Sequence, residues 1–203
     1  MESALRKAAN VLIVVLALAV IGGLAYWIWW GSTRLPVIER APNWTLANIE
    51  SGQQESLQSL GNKVKLVEFI FLNCPDICPT TTVNMVAMQE ELNKRKLFGS
   101  DVVFVGITFD PGRDTPEAIK KYADTMQVDW KGWKFYRGTE AETQKVLADY
   151  KIFAEKQPDG SYVHPVRSLF LIDRNNNIRK IYSMGEKMDK EEVLKDIRQL
   201  AKE

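Results

Sequence analysis

The chain has 203 residues, 45% hydrophobic, 26% charged and 10% aromatic, which excludes a disordered protein and supports one ordinary domain with its own core. Lys plus Arg total 27 against 26 Asp plus Glu, a net charge of +1, so a dominant nucleic-acid surface is excluded for want of a basic excess. Two Cys and one His exclude a zinc-ribbon framework and a disulfide-dense scaffold, and any soft-metal or thiol chemistry must pass through Cys74, Cys78 and His164.

Residues 11–30 read VLIVVLALAVIGGLAYWIWW and carry no charge. At about 1.5 Å per residue, a run of this length matches a hydrocarbon core of roughly 30 Å. Tyr26, Trp27, Trp29 and Trp30 close it with side chains suited to the membrane–water interface. The run ends in bulky aromatics rather than a small-residue cleavage site, which favours an uncleaved transmembrane anchor over a signal peptide. Arg6 and Lys7 precede it, so the positive-inside rule keeps residues 1–10 cytoplasmic. The expected protein is single-pass in the cell membrane, with its domain on the extracytoplasmic side. Residues 31–42 contain Pro36, Pro42 and mixed charges and read as a tether, leaving 43–203 as the outer domain.

Within that domain strand-like and helix-like patterns alternate. Residues 64–71 (VKLVEFIF), 102–109 (VVFVGITF) and 169–173 (LFLID) are short apolar runs of the kind buried on both faces of a sheet. Residues 178–182 (IRKIY) alternate like an edge or half-exposed strand. Helices are predicted over 79–95 and over 115–126, where Thr115 and Pro116 give a start signal. A third runs over 139–150, where Thr139 and Glu142 form a capping box, and a fourth over 189–202 from Asp189. The order is βαβα, hairpin, helix. It predicts an α/β three-layer sandwich around a central sheet.

The chemistry concentrates in LNCPDICPTT, at a strand-to-helix junction. Orphan backbone N–H groups and the helix dipole favour thiolate there. A spacing of four residues puts Cys74 and Cys78 on one helix face if the segment is helical. Such a pair can close a disulfide, clamp a soft cation, or simply be buried structure. His164 precedes the strand SLFLID, and its loop should border the Cys helix if the two strands are neighbours. Asp110 stands at a strand's carboxyl end, where open α/β sheets place ligands, although a turn-stabilising carboxylate is the better account of it. Either Asp114 or Thr115 caps the helix that follows.

The membrane anchor, FLNCPDICP, TFDPGRDTP and a lone His before SLFLID together resemble the Sco/SenC family over roughly residues 40–200. The resemblance implies a thioredoxin-like fold with a central mixed sheet. It also implies copper delivery to the copper A centre of a cytochrome c oxidase subunit, the expected partner. By matched position, Cys74, Cys78 and His164 would be the copper ligands, and Asp110 a carboxylate close behind them or a transient ligand. Two thiolates and an imidazole suit Cu(I), and Cu(II) could take the same donors plus an oxygen.

Three functions compete: a monomeric metallochaperone without turnover, a thiol–disulfide oxidoreductase that reduces the copper A cysteines through a redox-active Cys74–Cys78 disulfide bond, and a peroxide-reducing enzyme. Three residues separate the cysteines instead of the two of ordinary thioredoxin-type enzymes, and Arg167 stands where those enzymes place a proline. Both departures favour the metallochaperone. No Arg and Thr pair of the peroxidase type is evident.

Overall fold

The protein is described by a computed structural model covering residues 2–32, 34–157, 162–163 and 168–203. It divides into two units, Met1–Pro36 and Val37–Glu203. The first holds α1 (Glu2–Ser32), whose described side chains from Leu12 to Trp27 are all exposed. Among the described residues no helix is long and apolar enough to cross a membrane.

The second unit contains, in chain order, β1 (Glu39–Arg40), β2 (Thr45–Asn48), β3 (Gln54–Ser56), β4 (Val64–Ile70) and α2 (Ile77–Lys94). Then come β5 (Val102–Thr108), α3 (Pro116–Thr125), β6 (Trp133–Arg137), α4 (Glu140–Asp149), β7 (Glu155–Lys156) and β8 (Tyr162–Val163). It ends with β9 (Ser168–Ile172), β10 (Asn177–Ser183) and α5 (Lys190–Leu200). The described strands form an eight-stranded sheet in the order β1-β10-β9-β4-β5-β6-β2-β3, with β7 and β8 as a separate pair. The sheet is mixed: β4, β5 and β6 run parallel, and β9 runs antiparallel to β4.

Every residue of β4 and β5 is buried, as their β-branched and aromatic runs require at the centre of a covered sheet. Two successive right-handed crossovers in one direction put α2 and α3 on the same face, where α5 packs against α2. On the other face Phe69 meets Tyr150, at the end of α4, with ring centroids 5.2 Å apart. Helices thus flank a mixed sheet, in the expected sandwich.

The run 178–182 lies in β10, which mixes buried and exposed residues as expected of a half-exposed strand, and the two-residue β1 covers only its beginning, through Glu39 with Ile178 and Arg40 with Asn177. That short strand lies inside the segment read as a tether. The strand β6 was not anticipated. It inserts Trp133 into the core, fully buried, its ring parallel to Phe135 at 5.3 Å and its Nε1 donating to Gln89 Oε1 of α2 at 2.7 Å.

The helix starts follow their local signals. Thr139 Oγ1 accepts from the Glu142 N–H at 3.3 Å, and the Glu142 carboxylate accepts from the Thr139 N–H at 2.7 Å, closing the capping box. Thr139→Ala should therefore lower stability by about 1 kcal/mol, read as a lower urea midpoint with an unchanged slope. An unchanged midpoint would show that the box does not hold α4.

Candidate metal centre

The last residue of β4 leads through a short turn into α2, and both cysteines lie in this passage. Cys74 sits in the turn, where its N–H donates to Phe71 O at 3.2 Å. Cys78 is the second residue of α2, and its N–H donates to Cys74 Sγ at 3.4 Å. An otherwise orphan donor of the first helical turn thus points at sulfur. Pro79 sits next in the same turn, where its missing N–H leaves no intrahelical bond unmade. Both sulfurs are thiols, with Cys74 8% and Cys78 2% exposed, so Cys74 is the more accessible.

Cys78 departs from the thiolate expected at a helix start. The hydrogen bond with Cys74 and then burial push its pKa well above the ordinary thiol value, and the neighbouring Cys74 charge adds to this. The first-turn N–H that would favour an anion is aimed at Cys74 instead.

The DPGRDTP loop braces the turn from below. Asp114, buried, accepts the Leu72 N–H with both oxygens, at 3.3 and 3.2 Å, and a hydroxyl bond from Thr108. Burial raises its pKa. The Phe109 N–H donates to Ile70 O at 2.9 Å, and the Phe71 and Phe109 rings stand 5.0 Å apart. Thr115, not Asp114, caps α3, accepting the Ala118 N–H at 3.2 Å. On the far side of the turn, Thr81 Oγ1 accepts the Gly185 N–H at 2.8 Å, tying the first turns of α2 to the segment after β10.

Of the residues singled out in the sequence, Cys74 and Cys78 are brought together. Asp110 is buried and ion-paired with Arg113, and its N–H donates to Thr108 Oγ1 at 3.1 Å. His164 and Arg167 lie outside the described residues. The strand after them, β9, neighbours β4 and begins beside the end of β4. Among the described residues no group of three or more His, Cys, Asp or Glu side chains converges as a metal site.

An acidic residue that the sequence reading passed over lies in β4, six residues before Cys74. Glu68, in the middle of β4, is fully buried, and both its oxygens lack a hydrogen-bond partner among the described residues. A glutamate inside the run VKLVEFIF, in a strand buried on both faces, was the signal that could have found it.

A thioredoxin-like α/β sandwich with two buried thiols at the start of the helix after its central strand defines a dithiol protein. The family model described as SCO1/SenC matches residues 38–202, and the chain belongs to that family. The chain is 28% identical over 151 residues to the SCO1 protein homolog of Bacillus subtilis, covering 73% of this chain and 77% of that protein. It superposes on BsSco, a member of the Sco family of cytochrome c oxidase assembly proteins with a disulfide switch, at TM-score 0.72 and 27% identity, over 84% of this chain and 98% of that one. It also superposes on ScoI of Bradyrhizobium japonicum with copper bound, at TM-score 0.67 and 27% identity, over 79% and 99% of the two chains.

Proposed function

We propose that the protein is a membrane-anchored, extracytoplasmic copper metallochaperone that delivers copper to the copper A site of cytochrome c oxidase. The observation that carries this reading is the pair of buried thiols, Cys74 and Cys78, held together at the start of α2. Family membership supports it, as do a relative solved with copper bound and another that assists oxidase assembly.

Both sulfurs become metal ligands as thiolates, so loading releases protons. His164 is proposed as the third donor and Asp110 as a carboxylate near the site. Three residues separate His164 from Ser168, four Cα-to-Cα steps that span at most about 14 Å. Two thiolates and one imidazole select a soft cation. Three donors also leave room for an incoming ligand to attach before the old ones leave, which is what transfer between proteins requires.

A second reading is thiol–disulfide exchange, in which the same pair reduces the copper A cysteines. The contact between the Cys78 N–H and Cys74 Sγ favours it, because it holds the two positions close enough to exchange. His164→Ala separates the two readings. Metal binding depends on ligand count, so the variant should lose at least about tenfold in copper affinity. Dithiol exchange depends on thiolate fraction, leaving-group pKa and access, so the potential of the pair should move by less than about 30 mV. Normal copper affinity with a strongly shifted potential would replace the metallochaperone with the oxidoreductase.

The anchor rests on the uncharged run 11–30 and the basic residues before it. Protease added to intact cells stripped of their wall should remove the domain and leave the N-terminal segment with the membrane. A mature form beginning near residue 31 would make the segment a cleaved signal.

A further inference from the structure

One peptide unit of the dithiol turn is held at both ends. The planar bond between Phe71 and Leu72 carries a C=O and an N–H that point in opposite directions and can only turn together. Its C=O accepts the Cys74 N–H at 3.2 Å. Its N–H is aimed at Asp114, 3.3 and 3.2 Å from the two carboxylate oxygens. The ladder between β4 and β5 ends with Ile70 opposite Thr108. From Phe71 onward the chain leaves the control of the sheet, and the bond to Asp114 takes it over.

Asp114 is fixed in its turn. It is 2% exposed, so water does not stand in for its partners. The Thr108 hydroxyl donates to its Oδ2, and with that proton spent Thr108 Oγ1 accepts the Asp110 N–H at 3.1 Å. The Asp114 N–H donates to Asp110 O at 2.9 Å, closing the loop on itself. The next residue, Thr115, caps α3. Leu72 and Thr108 both present donors to the two oxygens, the pattern that an acceptor-only carboxylate fits. A continuous chain of bonds thus runs from the end of β5 through Asp114 and one peptide to Cys74.

We propose that Asp114 is the positioning residue of the metal centre, setting where Cys74 stands relative to Cys78 through the Phe71–Leu72 peptide. The two cysteines are held differently. Cys78 belongs to α2 and moves with the helix, whereas Cys74 belongs to the turn and takes its place from backbone bonds. When the Phe71–Leu72 peptide turns, the Leu72 N–H leaves Asp114 and the Cys74 N–H loses its acceptor in the same motion. The spacing of the sulfurs then spreads, and a metal held by both must reorder the turn at a cost in affinity. The consequence for metal rests on the copper reading above; the linkage itself belongs to the metal-free protein.

Amide hydrogen exchange on the full chain, reduced and metal-free, reads the linkage directly. In Asp114→Ala the Leu72 and Cys74 amides should both exchange at least about tenfold faster, while those of Val67 in β4 and Leu92 in α2 stay within about twofold. Asp114→Asn keeps the shape and one oxygen, so the same two amides should move together by a smaller factor, and this variant carries the test where the alanine variant does not fold. Release of Leu72 with Cys74 unchanged, no release at either, or equal release throughout β4 and α2 would each overturn the proposal. Copper reads the consequence. Asp114→Asn should still bind one copper per chain, with a shifted thiolate-to-Cu(II) charge-transfer band and a Cu(I) affinity lower by at least about tenfold. Released amides with band and affinity unmoved would overturn the positioning role. A wild-type protein that binds no copper would sink the metallochaperone reading, and the paired release of Leu72 and Cys74 would still decide the linkage.

Discussion

Cys74→Ala and Cys78→Ala should each abolish tight copper binding. The two sulfurs are the only thiols in the chain, and the helix start holds them together. With one removed, a single thiolate and an imidazole face competition from small thiols that can supply two or three sulfurs to Cu(I). The loss should be at least about a thousandfold, roughly 4 kcal/mol, in competition with a chromogenic Cu(I) chelator. Both substitutions remove one sulfur atom from a braced turn, so the folded state should survive and circular dichroism should be unchanged. Tight one-to-one binding by the double variant would remove the dithiol from the site.

Glu68 should give the largest pH effect on stability. Its folded-state pKa, about 8, lies above the ordinary carboxylate value of 4.5 that applies in the unfolded chain. Its contribution is therefore fully present below about pH 4.5 and is lost as the pH rises through about 8. Against Glu68→Gln, which cannot ionise, the wild type should lose on the order of 3–5 kcal/mol across this window. Denaturant unfolding of both proteins at pH 5, 7 and 9 measures the difference directly. Parallel stability curves would show that Glu68 is solvated or paired in solution.

The central strands were legible because burial on both faces leaves runs rich in β-branched and aromatic residues, as in VVFVGITF over β5 and in VKLVEFIF over β4, where Lys65 and Glu68 are the charged exceptions. The starts of α3 and α4 were legible because capping is a local matter of one or two side chains. β6 was not, because WKFYR interleaves Lys134 and Arg137 with its aromatics, and only the buried partners of Trp133 show which face is core. β1 was not, because two residues carry no period and their pairing with β10 is set by the fold.

The site divides in the same way. The two cysteines were visible from spacing and context. Their protonation was not, because the dipole argument concerns the helix end alone, whereas burial and the neighbouring sulfur oppose it at Cys78. Asp114 read as a possible cap, but its role is to hold the Leu72 N–H, a contact across 42 positions of sequence. Glu68 was visible as a charge in an apolar strand, but only the fold shows that it is fully buried with both oxygens lacking a hydrogen-bond partner among the described residues.

Copper titration of the reduced full-length protein tests the central claim most directly. The account predicts saturation at one copper per chain. With Cu(II) it predicts an intense thiolate-to-copper charge-transfer band that grows linearly to that point and is absent from Cys74→Ala and Cys78→Ala. Saturation without the band, or no saturable binding by a fully reduced sample, would contradict it.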